Sequence, residues 1–110
     1  AAARLLLGRK QPLTNGACFH AQQCAEKYIK ATLLSRNVDF PKTHDLFALN
    51  TLCERAGIFL GMKQEALEAL STWAVEARYP GESPTVEEAR EAIEIAKAVR
   101  RFARKFLGLK

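Results

Sequence analysis

The chain is poor in the residue types that build sheets. Aromatic residues make up 8% of its 110 residues, and β-branched residues are sparse. No stretch alternates apolar and polar residues in the way that a half-buried strand does. Alanine, leucine, glutamate, lysine and arginine are abundant instead, and these residues favour helices. We therefore predict an all-α fold.

The sequence also lacks long hydrophobic runs. It contains no stretch of about 18 apolar residues and no charged leader with an apolar centre, so neither a membrane span nor a signal peptide is predicted. We expect a cytoplasmic protein with no membrane partner. The chain opens on three alanines without a methionine and already follows an apolar helical pattern, so we expect its N-terminal helix to be incomplete.

Cysteine is scarce too. Cys18, Cys24 and Cys53 make an odd number with no C-x-x-C pair, which favours reduced thiols over a disulfide framework. His20 and Cys24 are four residues apart and share one face of a helix, so they could act as metal ligands or as a Cys-His pair. Because no third ligand accompanies them, no metal site is predicted.

The net charge of +5 is distributed unevenly. Residues 97–110 carry basic side chains and no acid, whereas residues 87–94 are rich in glutamate. This order matches a helix dipole, with acids at its positive end and bases at its negative end. A phosphate-binding patch is the alternative. The basic residues are Lys97, Arg100, Arg101, Arg104, Lys105 and Lys110.

Apolar spacing and capping residues divide the chain into four or five helices. With no internal repeat and no long linker, we predict a single domain over residues 1–110 folded as an up-and-down helical bundle. Asn15, Thr43 and Thr85 are predicted N-caps, and Thr85 opens a capping box. The predicted helices cover about residues 1–8, 16–36, 43–57, 63–79 and 85–108.

The longest predicted helix, residues 16–36, carries polar residues beside its apolar face. Gln22 falls inside the apolar arc and Glu26 lies at its edge, so both need partners if another helix covers that face. We predict that a dimer cleft is lined by Gln22, Gln23, Glu26 and Lys30. A solvated Glu26–Lys30 pair, four residues apart, is the alternative.

Two short segments are candidate phosphate sites. Lys42, Thr43, His44 and Asp45 precede a helix, where free N–H groups and the dipole favour an anion. The same residues could simply cap the helix. Arg78 and Tyr79 could offer a guanidinium and a stacking ring to a nucleotide, or could only end a helix.

Four segments in this order resemble the HEPN (higher eukaryote and prokaryote nucleotide-binding) domain family. They are FHAQQCAEKYIKA at 19–31, FPKTHDL at 40–46, EARYPG at 76–81 and TVEEAREAIEIA at 85–96. The resemblance implies a helical bundle that forms a homodimer. In prokaryotes it also implies a minimal nucleotidyltransferase partner in a toxin-antitoxin system. Many members of the family are metal-independent ribonucleases.

The ribonuclease members carry an arginine followed, after four to six residues, by a histidine, and this chain does not match that motif. Seven residues separate Arg36 from His44, ten separate Arg9 from His20, and no histidine follows Arg78. We therefore expect a module that binds nucleotide or RNA phosphate and has no other cofactor. The alternatives are a ribonuclease toxin that uses His44 and Arg78, and a purely protein-binding module.

Overall fold

A computed structural model describes residues 12–74 and 83–109. Within these residues the chain forms four α-helices and no strand, so the predicted all-α bundle is confirmed. The predicted first helix lies outside the described residues. The fourth predicted helix, expected to reach about residue 79, ends at Trp73 with Ala74 as its C-cap. The four helices are α1 (Pro12–Ser35), α2 (Leu46–Arg55), α3 (Gln64–Trp73) and α4 (Val86–Phe106).

The bundle is built on the pairing of its two longest helices, α1 and α4, which share the most extensive contact in the described fold. Both helices present small side chains to the core, and this allows their backbones to approach closely. Ile29 and Leu33 add larger apolar groups, each contributing about 1.5–3 kcal/mol on burial. The buried alanines are Ala17, Ala21 and Ala25 on α1 and Ala89, Ala92, Ala96 and Ala103 on α4.

Helix α1 begins earlier than predicted. The sequence suggested a connector over residues 11–15 with Asn15 as the N-cap, but the helix starts at Pro12, a residue that fits a first turn because it needs no N–H partner. The Asn15 amide instead donates to Ser83 Oγ at 3.2 Å, and the Thr14 hydroxyl donates to the Pro84 carbonyl at 2.6 Å. These bonds fasten the start of α1 to the segment that leads into α4.

The ends of α1 and α2 and the start of α4 follow the usual rules of helix termination and capping. Asn37 (φ 58°) and Gly57 (φ 78°) occupy the left-handed region directly after α1 and α2, and both helices close with the same backbone bonding pattern. The predicted capping box of Thr85 and Glu88 at the start of α4 is confirmed. At α2, however, Asp45 is the N-cap in place of the predicted Thr43.

Helices α2 and α3 both pack against α1 and contact each other, while α3 also contacts α4. Trp73, the last residue of α3, is partly buried and packs against the core. None of the helices in residues 12–74 and 83–109 combines the length and the apolar character that crossing a membrane requires.

Candidate functional site

A buried carboxylate on α1 lies at the centre of a polar cluster between that helix and the loop before α2. Glu26 is only 6% exposed. Its Oε1 accepts from His44 Nδ1 at 2.8 Å and from Gln22 Nε2 at 3.1 Å, while its Oε2 accepts from Lys30 Nζ at 2.9 Å. We call these four residues the Glu26 network.

The network follows from helical spacing on α1 and from the length of one loop. Gln22, Glu26 and Lys30 are four residues apart in turn, so their side chains stack along one face. The loop over residues 36–45 brings His44 to that face. Gln22 Nε2 also donates to the His44 carbonyl at 2.8 Å, so both the ring and the backbone of His44 are bonded to α1.

The negative charge of Glu26 is stabilised where it stands. Desolvation by burial raises the pKa of this carboxyl, but hydrogen bonds from Lys30, His44 and Gln22 outweigh that effect and hold the pKa below its ordinary value of 4.5. Lys30 is positioned a second time by Phe40, whose ring centroid lies 5.6 Å from Nζ. At neutral pH the network therefore contains a fixed carboxylate.

This carboxylate determines which ring nitrogen of His44 is available to a ligand. An ionised carboxylate can only accept, so the bond at 2.8 Å assigns the proton to Nδ1. In the neutral ring Nε2 then carries the lone pair. The His44 side chain is 80% exposed, so Nε2 is the nitrogen that can accept a proton from a ligand or donate one to it.

The loop predicted to bind phosphate contributes less through its backbone than the sequence suggested. Asp45 Oδ1 accepts from Phe47 N at 3.0 Å, and Thr43 Oγ1 accepts from Asp45 N at 3.1 Å, so two N–H groups at the start of α2 are already bonded. The Asp45 carboxylate also adds a negative charge there. Anion recognition at this loop would depend on the His44 ring and on the exposed Lys42.

A residue of the predicted dimer cleft on α1 and a residue of the predicted phosphate site in this loop contact each other in the structure. The sequence assigned Glu26 to a dimer cleft and His44 to a phosphate site, and the structure joins them by a hydrogen bond. The signal that could have found this pair is the unpartnered acid on the apolar face of α1. A nearly buried carboxylate needs cationic or donor partners, and His44 lies in the loop just before the next helix.

The other predicted site residues are placed as follows. The polar atoms of Gln22 are bonded within the chain, since its Oε1 also accepts from Gln23 Nε2 at 3.1 Å. The dimer cleft stays a prediction. Arg78 and Tyr79 lie outside the described residues, and their roles stay predictions. The Arg36 guanidinium packs 4.7 Å from the centroid of the Phe106 ring on α4.

The three cysteines are free thiols. Cys18 and Cys53 are fully buried, and burial, with a smaller effect of the Glu54 charge, raises the pKa of Cys53 to about 11. Burial also raises the pKa of the half-exposed Cys24, although the nearby Arg100 and Lys27 charges partly oppose it. In the described parts of the chain, no three His, Cys, Asp or Glu side chains are grouped to hold a metal ion.

Comparison with known proteins agrees with the fold. The family model described as HEPN domain matches residues 1–106, nearly the whole chain. The chain therefore belongs to the HEPN domain family. Searches of curated proteins and of solved structures find no match.

Proposed function

We propose that this HEPN-domain protein is a dimeric module that binds the phosphate of a nucleotide or of RNA at the exposed side of the Glu26 network. The observation that carries the proposal is the 2.8 Å bond from His44 Nδ1 to the buried Glu26, combined with the 80% exposure of the His44 side chain. A histidine that is fixed at one nitrogen and accessible at the other is suited to contact an anion.

The charges around the network support binding of an anion. The Glu26 carboxylate is offset by the Lys30 ammonium at 2.9 Å, so protonation of His44 leaves a net positive charge at the surface. Lys42, two residues before His44, is also exposed. A phosphate oxygen can accept charge-assisted hydrogen bonds from an imidazolium and an ammonium together.

Nucleotide-dependent stabilisation tests this proposal. Thermal unfolding of the wild type is measured with and without ADP, beside His44→Ala and His20→Ala. His20 is the matched control because it is the chain's other histidine and is exposed on α1. At about 100 times its Kd, ADP is expected to stabilise the wild type and His20→Ala by about 2.7 kcal/mol. His44→Ala should lose most of this gain.

An equal gain in all three proteins would contradict a site at His44. If ADP has no effect on any of them, AMP and a short RNA with a 5′-phosphate serve as further probes, and their failure would reject phosphate binding at this site. Because His44 is largely exposed, its truncation should leave the fold intact, which the unliganded unfolding curves check directly.

Pairing with a second copy and with a minimal nucleotidyltransferase is proposed on family membership. Members of the family commonly dimerise, and the paired toxin-antitoxin arrangement is the one that the resemblance implies for a prokaryotic chain. Light scattering after size exclusion should give the mass of a dimer for the chain alone. Mixing it with a minimal nucleotidyltransferase from the same genome should give a heavier, stoichiometric complex.

A metal-independent ribonuclease is the second candidate, and the fixed His44 tautomer favours it. The Nε2 lone pair could accept the proton of an RNA 2′-hydroxyl, whose oxygen then bonds to the adjacent phosphorus. The bond from phosphorus to the 5′-oxygen breaks, and that oxygen takes up a proton from water. Arg78 is the candidate cation for the charged phosphorane.

Cleavage of labelled single-stranded RNA in EDTA separates the two functions. If the protein is a ribonuclease, the wild type and the His20→Ala variant should cut the RNA. The His44→Ala and Arg78→Ala variants should lose that activity. If none of the four proteins cuts RNA, the binding module is the function that stands.

A further inference from the structure

A groove runs along the second half of α4, and the described residues that line it are all cationic. Its volume is about 320 Å³, and its walls are formed by Lys97, Arg100, Arg101 and Arg104, which we call the basic groove. The spacing of three and four residues places all four on one side of the helix. Both arginines at its centre, Arg100 and Arg101, are exposed.

Acidic side chains do little to neutralise this groove. Glu94 is the last acidic side chain in the sequence, and it pairs with Lys97 at 3.6 Å while staying 66% exposed. In the described ranges 12–74 and 83–109, no carboxylate forms an ion pair with Arg100 or Arg101. Two neighbouring guanidinium groups therefore keep their charge and their donors for an external anion.

The helix dipole does not account for the groove. Dipole stabilisation falls off within the last turn of a helix, and the basic residues in the last turn of α4 are Arg104 and Lys105. Lys97, Arg100 and Arg101 lie further towards the N-terminus.

We propose that the basic groove binds the sugar-phosphate backbone of single-stranded RNA without reading its sequence. The choice of RNA as the polyanion rests on the proposed function. Each guanidinium can hold a phosphate in a bidentate arrangement. Residues four apart on the helix, such as Lys97 and Arg101, are offset by about 6 Å along its axis, so successive cations can contact successive phosphates of an extended strand.

The surroundings of the groove favour a nucleic acid over a membrane surface. A helix that binds a bilayer needs an apolar face turned outward, but the apolar face of α4 is used for the core, where Val99 and Ala103 are fully buried. Arg100 is close enough to Cys24 on α1 for its charge to act on that thiol, and Lys27 acts on it too. Basic charge therefore continues from α4 onto α1.

Lys27 links the basic groove to the Glu26 network. It is exposed on α1, and on that helix its position lies between Cys24, which neighbours the groove, and Lys30 of the network. A strand that crosses α1 at Lys27 would contact the groove on one side and His44 on the other. The two sites would then bind different phosphates of one RNA.

The test measures the salt dependence of RNA binding. A fluorescein-labelled oligouridylate of about twelve nucleotides is titrated with the protein, and fluorescence anisotropy is followed over roughly 50 to 200 mM salt. The variant Arg100→Gln/Arg101→Gln should bind about tenfold more weakly at the lowest salt. The slope of log K against log salt should fall by about 1.4, the value for losing two phosphate contacts on a single strand.

The control variant removes the same charge elsewhere. Arg55→Gln/Arg90→Gln changes two exposed arginines outside the groove, at the end of α2 and in the acidic half of α4. It should keep nearly the wild-type slope. Equal losses of RNA affinity in the two double variants would show that only the net charge of the protein matters, and would contradict a binding site in the basic groove.

Two further measurements identify the class of ligand and distinguish a failure of this proposal from a failure of the proposed function. An oligoglutamate peptide of similar charge should bind far more weakly than the oligouridylate, and equal binding would reject RNA in favour of an acidic protein partner. The groove variant should keep the ADP-dependent stabilisation of the wild type. ADP could stabilise none of the proteins while RNA binding still depended on Arg100 and Arg101. That result would reject the proposed phosphate site at His44 and support the proposed RNA site in the basic groove.

Discussion

The Glu26 network and the basic groove use charge in opposite ways. In the network a single carboxylate is 6% exposed, and three donors from α1 and the following loop are bonded to it. In the groove, Arg100 and Arg101 of α4 are exposed, and among the described residues no carboxylate forms an ion pair with either of them. The network fixes the position of one imidazole, whereas these two guanidinium groups stay available to a ligand.

This difference separates the charges that support the fold from those that are free to act. Removing a buried hydrogen-bonded charge leaves its partners unsatisfied inside the protein, while removing an exposed charge costs little. The Glu26 network lies partly on α1 and the basic groove lies beside that helix. One ligand could therefore contact both the positioned imidazole of His44 and the exposed guanidinium groups of α4. Three measurements test this difference between the two regions.

The largest expected effect is on stability. Glu26→Ala should lower the free energy of unfolding by about 3 kcal/mol, because Lys30 loses its paired carboxylate, His44 Nδ1 loses its acceptor and Gln22 Nε2 loses one of its two acceptors. Arg100→Gln/Arg101→Gln should change it by less than about 0.5 kcal/mol. Urea unfolding followed by circular dichroism measures both. Similar losses in the two variants would remove the distinction between network and groove.

The second effect is the pH dependence of the contribution of Glu26. Because the folded-state pKa of this carboxyl lies below its ordinary value of 4.5, the stability it provides is fully present above that value. It should be lost as the pH falls through the folded-state pKa. The stability gap between wild type and Glu26→Gln should therefore narrow below pH 4.5. A gap that widens on acidification would mean that burial, which raises the pKa, outweighs the hydrogen bonds.

The third and smallest effect is on the reactivity of Cys24. This thiol is half-exposed, whereas Cys18 and Cys53 are fully buried, so iodoacetamide should modify Cys24 first in the folded protein. Loss of the Arg100 charge should raise the pKa of Cys24 further and slow its alkylation roughly twofold. Mass spectrometry of the labelled peptide gives the rate. An unchanged rate in Arg100→Gln would place that guanidinium too far from α1 to join the two surfaces.

Helix periodicity and capping chemistry predicted most of the fold. Thr85 and the capping box it opens predicted where α4 begins. The start of α1 was misplaced because Asn15 resembles a cap, while its amide in fact bonds across the bundle to Ser83. Such a contact joins residues 68 positions apart, and local pattern carries no information about it.

The site was predicted in separate pieces. Spacing on α1 showed that Gln22 and Glu26 needed partners, and the cap position drew attention to His44. Glu26 and His44 come together because of the path of the loop over residues 36–45. The spacing of apolar residues in the sequence carries no information about that path. For the same reason the sequence offered Thr43 as the cap of α2, although Asp45 occupies that position.

The most direct test of the central claim, that Glu26 holds His44 where it can meet a phosphate, is an NMR titration of the two histidine side chains with ADP. The chain has only His20 and His44, so the His20→Ala variant assigns both sets of imidazole resonances. We expect saturable shifts of the His44 ring, with Nδ1 protonated in the neutral form and little change at His20. Shifts of equal size at both rings, or none at His44 while ADP binds, would contradict it.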